Sequence, residues 1–349
     1  MEAMSAESGV DVDRRTDAPG LSVIDPADPA APMYQLLARL RRPVALRDLM
    51  LHPVRTGYAG QDLPDPSTVL PSWEHLYPDV VVDELRVGSL AGSIRCRTYR
   101  PSQSAVGLPV LVYCHGGGFM VGSAEDTDYI TRRLCAEAGV LVASVNYRLA
   151  PEWPFPAGID DCLAVYGWVR QRAEELGGDR FRVGVAGDSS GASFAAGLPL
   201  RAKDAGLPVP SVSLQFAPVP DMRFEQYPSF EQLAPTGMVF DAAFLGFARG
   251  AYCRYSQWDH PHISPARAHL AGYPPTCIVV GTHDSLIDSC CAFAESIRSA
   301  GGIAELHAPL GMPHGFYFWP GVFPVEEAAA YATVAQFLQR HLVGNATSL

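Results

Sequence analysis

Lysine is almost missing: Lys203 is the only one in 349 residues, so Schiff-base chemistry would rest on one residue in a polar helix end and is set aside. Positive charge is scarce altogether. Lys and Arg total 26 against 37 Asp and Glu, a formal net charge of −11, which argues against nucleic acid or an acidic membrane as partner. No apolar run approaches the ~18 residues of a membrane span. The opening MEAMSAESGVDVDRRTDAPG is acidic and lacks the apolar core of a signal peptide. The eight cysteines form no C-x-x-C pair and no tight framework, so they read as buried thiols of a reducing compartment, and a cytoplasmic location is expected. His260 and His262 flank Pro261 without a third clustered ligand, so they read as a solvated loop and no metal is expected. No internal repeat is visible.

What remains is a globular composition, 48% hydrophobic and 18% charged. Residues 1–30, rich in Ala, Asp, Ser and Pro, are expected to be a disordered tail. Residues 31–76 read as an N-terminal cap region, with two short amphipathic helices between Met33 and Met50 separated at Pro43. The rest, 77–349, reads as one domain. Apolar strands are expected at Val80–Val87, Ile94–Tyr99, Val110–Cys114, Val140–Tyr147, Arg182–Ala186, Val212–Ala217, Thr276–Gly281 and Glu305–Ala308. Helical patterns follow from the third strand on, at Thr127–Glu137, Ala157–Leu176, Ser190–Lys203, Leu286–Ala300 and Pro324–Leu342. Such alternation predicts an α/β fold, a mostly parallel sheet covered by helices on both faces. Residues 219–262 break the alternation with an aromatic-rich insertion over the carboxyl ends of the strands, where open α/β sheets bind ligands, and read as a helical cap.

The chemistry centres on Gly187-Asp188-Ser189-Ser190-Gly191, which follows an apolar strand and opens a helix. G-x-S-x-G in that setting is a nucleophile elbow, a turn sharp enough to lift a serine hydroxyl above the sheet. Ser189 is central to the glycine pair; Ser190 falls in the first helical turn with its amide free. Asp188 reads as a structural hydrogen-bonding group. After the third strand come His115, Gly116, Gly117, Gly118 and Phe119; three glycines let amides face a ligand unobstructed, as one side of an oxyanion hole, and no Lys-Ser or Lys-Thr follows to suggest a phosphate loop. His115 reads as a brace for that loop. A serine nucleophile needs a base and an orienting acid. Asp284, past the seventh strand, and His314, between Gly311 and Gly315, are the candidates. His283 points away from its neighbour on an extended chain, and Asp288 reads as the start or cap of the next helix.

HGGGF at 115–119, YRLAPE at 147–152, GDSSG at 187–191, D-x-L at 284–286 and HGF at 314–316 together resemble the hormone-sensitive-lipase family of α/β-hydrolases, in its bacterial esterase branch. The resemblance covers roughly residues 78–342. It implies an eight-stranded α/β-hydrolase fold with a cap, and a carboxylesterase for short to medium acyl chains that needs no cofactor. It implies Ser189, Asp284 and His314 as triad, Gly117, Gly118 and Ser190 as oxyanion donors with Gly116 shaping their loop, and pairing into a homodimer through residues 303–342. Phe119, Phe224 and Phe244 are expected to contact a small-molecule ester. Ser190 departs from the usual Ala, and Ser285 from the usual D-P-L, which loosens the acid's loop. Amide, lactone or carbamate hydrolysis by the same triad stays open. Gibberellin receptors resemble the family but lack the histidine, which is present here.

Overall fold

Strands that must be apolar on both faces can only lie inside a covered sheet, and the third to seventh do. The computed structural model describes residues 73–101, 106–236, 240 and 242–344. The tail expected over 1–30, the helices expected over Met33–Met50 and nearly all of the 31–76 cap region lie outside these residues. Eight strands form one sheet: β1 (Val80–Ser89), β2 (Gly92–Pro101), β3 (Leu108–Cys114), β4 (Leu141–Val145), β5 (Gly178–Asp188), β6 (Ser213–Phe216), β7 (Thr276–Val279) and β8 (Ala304–His307). Their spatial order is β1-β2-β4-β3-β5-β6-β7-β8, and all pairs from β4 onward are parallel. The β1–β2 and β2–β4 pairs are antiparallel, so among these strands β2 runs against the rest. Every residue of β4, β6 and β7 is buried.

The helices are α1 (Asp128–Ala138), α2 (Ala157–Arg172), α3 (Ser190–Asp204), α4 (Pro228–Leu233), α5 (Ala242–Tyr252), α6 (Ile287–Ser299) and α7 (Pro324–Leu338). The β3–β4 connection through α1 moves one way along the sheet and later connections move the other. Right-handed crossovers therefore set α1 on the face opposite α2, α3 and α6. Contacts agree: α1 packs against α7, and α2 against α3. The helix expected over Ala157–Leu176 ends at Arg172, and the chain tightens into a 3₁₀ turn, Ala173–Leu176, stopped by left-handed Gly177. The last helix likewise gives way to a π turn over Gln339–Val343. Residues 219–262 hold α4, α5 and short 3₁₀ turns.

The segment after β4 ties the sheet to the loop after β3. Tyr147 donates its hydroxyl to the His115 carbonyl at 2.6 Å, and the Ala150 amide donates to the Phe119 carbonyl at 2.9 Å. Arg148 fixes this segment through its amide, Nε and Nη2, each 2.9 Å from the buried Asp161 carboxylate on α2. Removing one partner of a buried pair strands the other charge. Asp161→Ala should therefore cost about 3–5 kcal/mol of stability, measured as a lowered urea midpoint.

Candidate active site

Ser189 ends β5 and opens α3 with φ +52° and ψ −121°, a left-handed conformation costing a side-chain-bearing residue about 1–3 kcal/mol. The turn around it closes by backbone contact. A Cβ on Gly187 would strike the Gly191 and Cys114 carbonyls, and one on Gly191 would strike those of Cys114 and His115. Only glycine fits at either position. The Ser189 amide is held by the Phe216 carbonyl at 2.7 Å and the Ser189 carbonyl by the Ser193 amide at 3.0 Å.

The HGGG loop is fixed by its carbonyls. His115, fully buried, donates from Nδ1 to the Gly116 carbonyl at 2.7 Å; a carbonyl only accepts, which assigns the proton to Nδ1. Burial pushes the His115 pKa down to about 4, so the ring stays neutral, stacked on Tyr147 at 4.1 Å between centroids. In a trans peptide the next amide points opposite the carbonyl, so this bond aims the Gly117 N–H. The Gly117 carbonyl accepts from Met120 and Val121 amides, both at 3.1 Å, which aims the Gly118 N–H in the same way. Gly117 has φ +122°, and a Cβ there would overlap the Val121 carbonyl. Among the described residues, the Gly117 and Gly118 amides donate to no backbone acceptor. Ser190, first in α3, has an amide that its helix leaves unpaired.

Asp284 and His314 meet Ser189 from two further loops at the carboxyl edge. The His314 Nδ1 lies 2.7 Å from Asp284 Oδ2, and its Nε2 lies 3.0 Å from Ser189 Oγ. A carboxylate accepts, so Nδ1 carries the proton and Nε2 is free to take one. The other Asp284 oxygen accepts the Leu286 amide at 3.0 Å. Burial alone would lower the His314 pKa, but the Asp284 charge and hydrogen bond, with help from Asp188, hold it above the ordinary value. Asp188 accepts both the Tyr113 hydroxyl at 2.8 Å and the Gly116 amide at 2.9 Å, pinning the loop to the elbow as expected of a structural group. Burial pushes its pKa up to about 6 against those two hydrogen bonds.

Ser189 opens onto a cavity of about 320 Å³, lined among others by Gly116, Gly117, Phe240, Phe244, His314 and Trp319. On its other side a cleft of about 20 Å³ is walled by Phe119, Met222, Phe224, Phe244 and Leu286. Phe244 thus borders both. Phe119 and Phe224 serve packing first: Phe119 stacks flat on Tyr252 at 4.0 Å, and Phe224 packs on Phe230 at 4.8 Å with the Arg249 guanidinium over its face. Phe240, edge-on to His314 at 5.2 Å, is a contact the sequence did not single out. Tyr113 and Tyr147 were likewise missed, since each acts from outside the motif it supports.

One reading needs correction. The His260/His262 loop is not solvated at His262, which is buried with Nε2 at 2.9 Å from Asp204 and Nδ1 at 3.0 Å from Arg201. Arg201 and Asp204 sit on α3, and the loop folds back to cover that helix. Asp288, as expected, stands in the first turn of α6, and its carboxylate also accepts the Ser229 amide of α4 at 2.8 Å. His283, as expected, takes no part in the Ser189 contacts, and no group of potential metal ligands occurs among the described residues.

A family described as having the alpha/beta hydrolase fold matches residues 111–318. The chain belongs to the α/β-hydrolase family. This α/β-hydrolase is 37% identical over 263 residues to the carboxylesterase NlhH of Mycobacterium tuberculosis, covering 74% of this chain and 81% of that protein. It is 32% identical over 271 residues to the ethyl acetate hydrolase of Pseudomonas putida, covering 76% and 84%. Among solved structures it is similar to the hyperthermophilic esterase of Pyrobaculum calidifontis, with TM-score 0.72, 30% identity and coverage of 75% and 86%. It is also similar to EstE1, a carboxylesterase from a metagenomic library, with TM-score 0.70, 34% identity and coverage of 74% and 90%.

The two histidines of this α/β-hydrolase should titrate on opposite sides of the ordinary ~6.5. In a ¹⁵N NMR titration, His115 is expected to stay neutral down to about 4, while His314 gains its proton above the ordinary value. Coincident titrations would contradict the hydrogen bonds that separate them.

Proposed function

We propose that this chain hydrolyses short to medium acyl esters by two-step acyl transfer through Ser189, His314 and Asp284. The chain is a carboxylic ester hydrolase, in keeping with relatives named as carboxylesterase and esterase at 30% identity and above. The observation that carries the mechanism is the unbroken Asp284–His314–Ser189 hydrogen-bond path, at 2.7 and 3.0 Å. His314 Nε2 takes the Ser189 proton as Oγ attacks the carbonyl carbon, and Asp284 steadies the imidazolium. The charge on the carbonyl oxygen falls to the Gly117, Gly118 and Ser190 amides, each worth on the order of 10²–10³ in rate. His314 then protonates the departing alcohol, and water repeats the sequence on the acyl-enzyme. Every step draws on protein groups and water.

Phe240 and Phe244, from the 219–262 insertion, border the larger cavity and support the reading of that insertion as part of a cap over the ester. All eight cysteines are free thiols, seven of them buried, which supports a reducing, cytoplasmic setting. No helix among the described residues is long and apolar enough to cross a membrane. The edge strand β8 follows an exposed Ile303, 48% accessible, which supports the homodimer expected there.

Ser189→Ala should lower kcat on a chromogenic ester by about 10⁶, because triad members act as a unit. An organophosphate should add its mass to the Ser189 peptide alone, and labelling elsewhere would defeat the assignment. The base works only when neutral, so kcat/KM should fall as pH drops through the His314 pKa. That acid limb should lie above the ordinary ~6.5. In Asp284→Asn the limb should move to lower pH and kcat should drop by about 10⁴. A limb unmoved by Asp284→Asn would remove Asp284 from its role.

A further inference from the structure

The insertion and the turn that carries Asp284 meet at one side chain. Ser229, second residue of α4, is 5% exposed. Its hydroxyl donates to the Ser285 carbonyl at 3.0 Å and accepts from the Asp288 amide at 3.2 Å. Its own amide donates to the Asp288 carboxylate at 2.8 Å. The three bonds grip both ends of the 285–288 stretch, immediately after Asp284. On the opposite side the segment just before Asp284 is tied to the loop that leads to His314: the Thr282 and His283 amides donate to the Pro309 and Met312 carbonyls at 3.1 and 2.9 Å. Within the turn, the Asp284 carbonyl and Oδ1 take the Ile287 and Leu286 amides at 3.1 and 3.0 Å. The carboxylate facing His314 thus stands on a turn held between the 309–312 loop and the insertion. Leu233, at the far end of α4, walls a cleft of about 20 Å³ together with Asp284 and His314.

We infer that Ser229 is a positioning residue for Asp284: from α4 it holds the turn after the acid, and so sets the angle at which the carboxylate meets His314. Ser229 touches neither the nucleophile nor the base. Its influence passes through the Ser285 carbonyl and the Asp288 amide, and sub-ångström shifts of an orienting group are costly in rate. This rests on the acyl-transfer reading above.

Ser229→Ala keeps the amide bond to Asp288 and removes both hydroxyl bonds. Its kcat should fall about 5- to 30-fold, the rate equivalent of one or two net hydrogen bonds, with KM little changed. Its acid limb should move to lower pH, because Asp284 lifts the His314 pKa; Asp188, the other charge facing that imidazole, keeps its partners. Ser229→Thr, which keeps the hydroxyl, should restore both, and the near-isosteric Ser229→Cys, a weak donor, should fall between. Should the alanine variant not fold, the cysteine variant carries the same comparison. The low-field Nδ1–H resonance of His314, read by NMR without substrate, should move in Ser229→Ala. Wild-type kcat, acid limb and resonance in Ser229→Ala, even with a lower melting temperature, would overturn the inference. A wild-type protein that cleaves no ester would instead defeat the proposed function, while the resonance would still report on Ser229.

Discussion

The positive φ of Ser189 is the constraint to which the neighbouring elements are fitted. A conformation costing about 1–3 kcal/mol persists only where the surroundings leave no alternative. Here they are backbone on every side: the Phe216 carbonyl from β6, the Ser193 amide from α3, and the Cys114 and His115 carbonyls against Gly187 and Gly191. Backbone cannot change rotamer to relieve strain. The ends of β3, β5 and β6 must therefore stand level, and that level edge is where every loop of the site emerges. His115 is also the first residue of the HGGG loop, so the contact that seats α3 also places the amides beside the serine. Asp188 repeats the link in polar form, joining Tyr113, Gly116 and the elbow through one carboxylate oxygen.

Two histidines within this small region are shifted in opposite directions, and each shift follows from its surroundings. His115 has a carbonyl and a flat tyrosine face for company, with no carboxylate among its hydrogen-bond partners in the described residues, so desolvation decides and the ring stays neutral. His314 is buried too, but the Asp284 carboxylate at 2.7 Å, with the Asp188 charge, outweighs the desolvation. A neutral ring is what aims the Gly117 amide, and a ring that gains a proton readily is what a base requires. The loop therefore keeps its shape across the pH range in which His314 titrates.

Much of this was legible in the sequence because the governing patterns are local. The inner strands, buried on both faces, leave unbroken apolar runs, and they and the two antiparallel ones at the edge emerge within a few residues of their expected limits. The elbow and the triple glycine are steric requirements written into consecutive residues. What did not show were partners fixed by packing across the chain. Nothing near Tyr113 announces a bond to Asp188, 75 residues on. Phe119 and Phe224 look like pocket aromatics in a linear reading, and in the fold their rings are spent largely on Tyr252, Phe230 and Arg249. His262 passes for a loop histidine until α3 supplies Arg201 and Asp204.

Ser285 shows the same limit from another side. Read locally, serine in place of proline frees a backbone torsion and loosens the turn that bears the acid. The fold restores restraint from a distance, through the Ser229 hydroxyl on the Ser285 carbonyl. The two restraints differ in kind. A proline narrows the torsion in every state of the chain and acts partly through the unfolded ensemble. A hydrogen bond from α4 restrains the turn only while α4 is seated against it. Order in the turn after Asp284 is thereby made conditional on the seating of a segment that also walls the cavity beside Ser189, so the shape of that cavity and the angle between Asp284 and His314 are set by one packing contact.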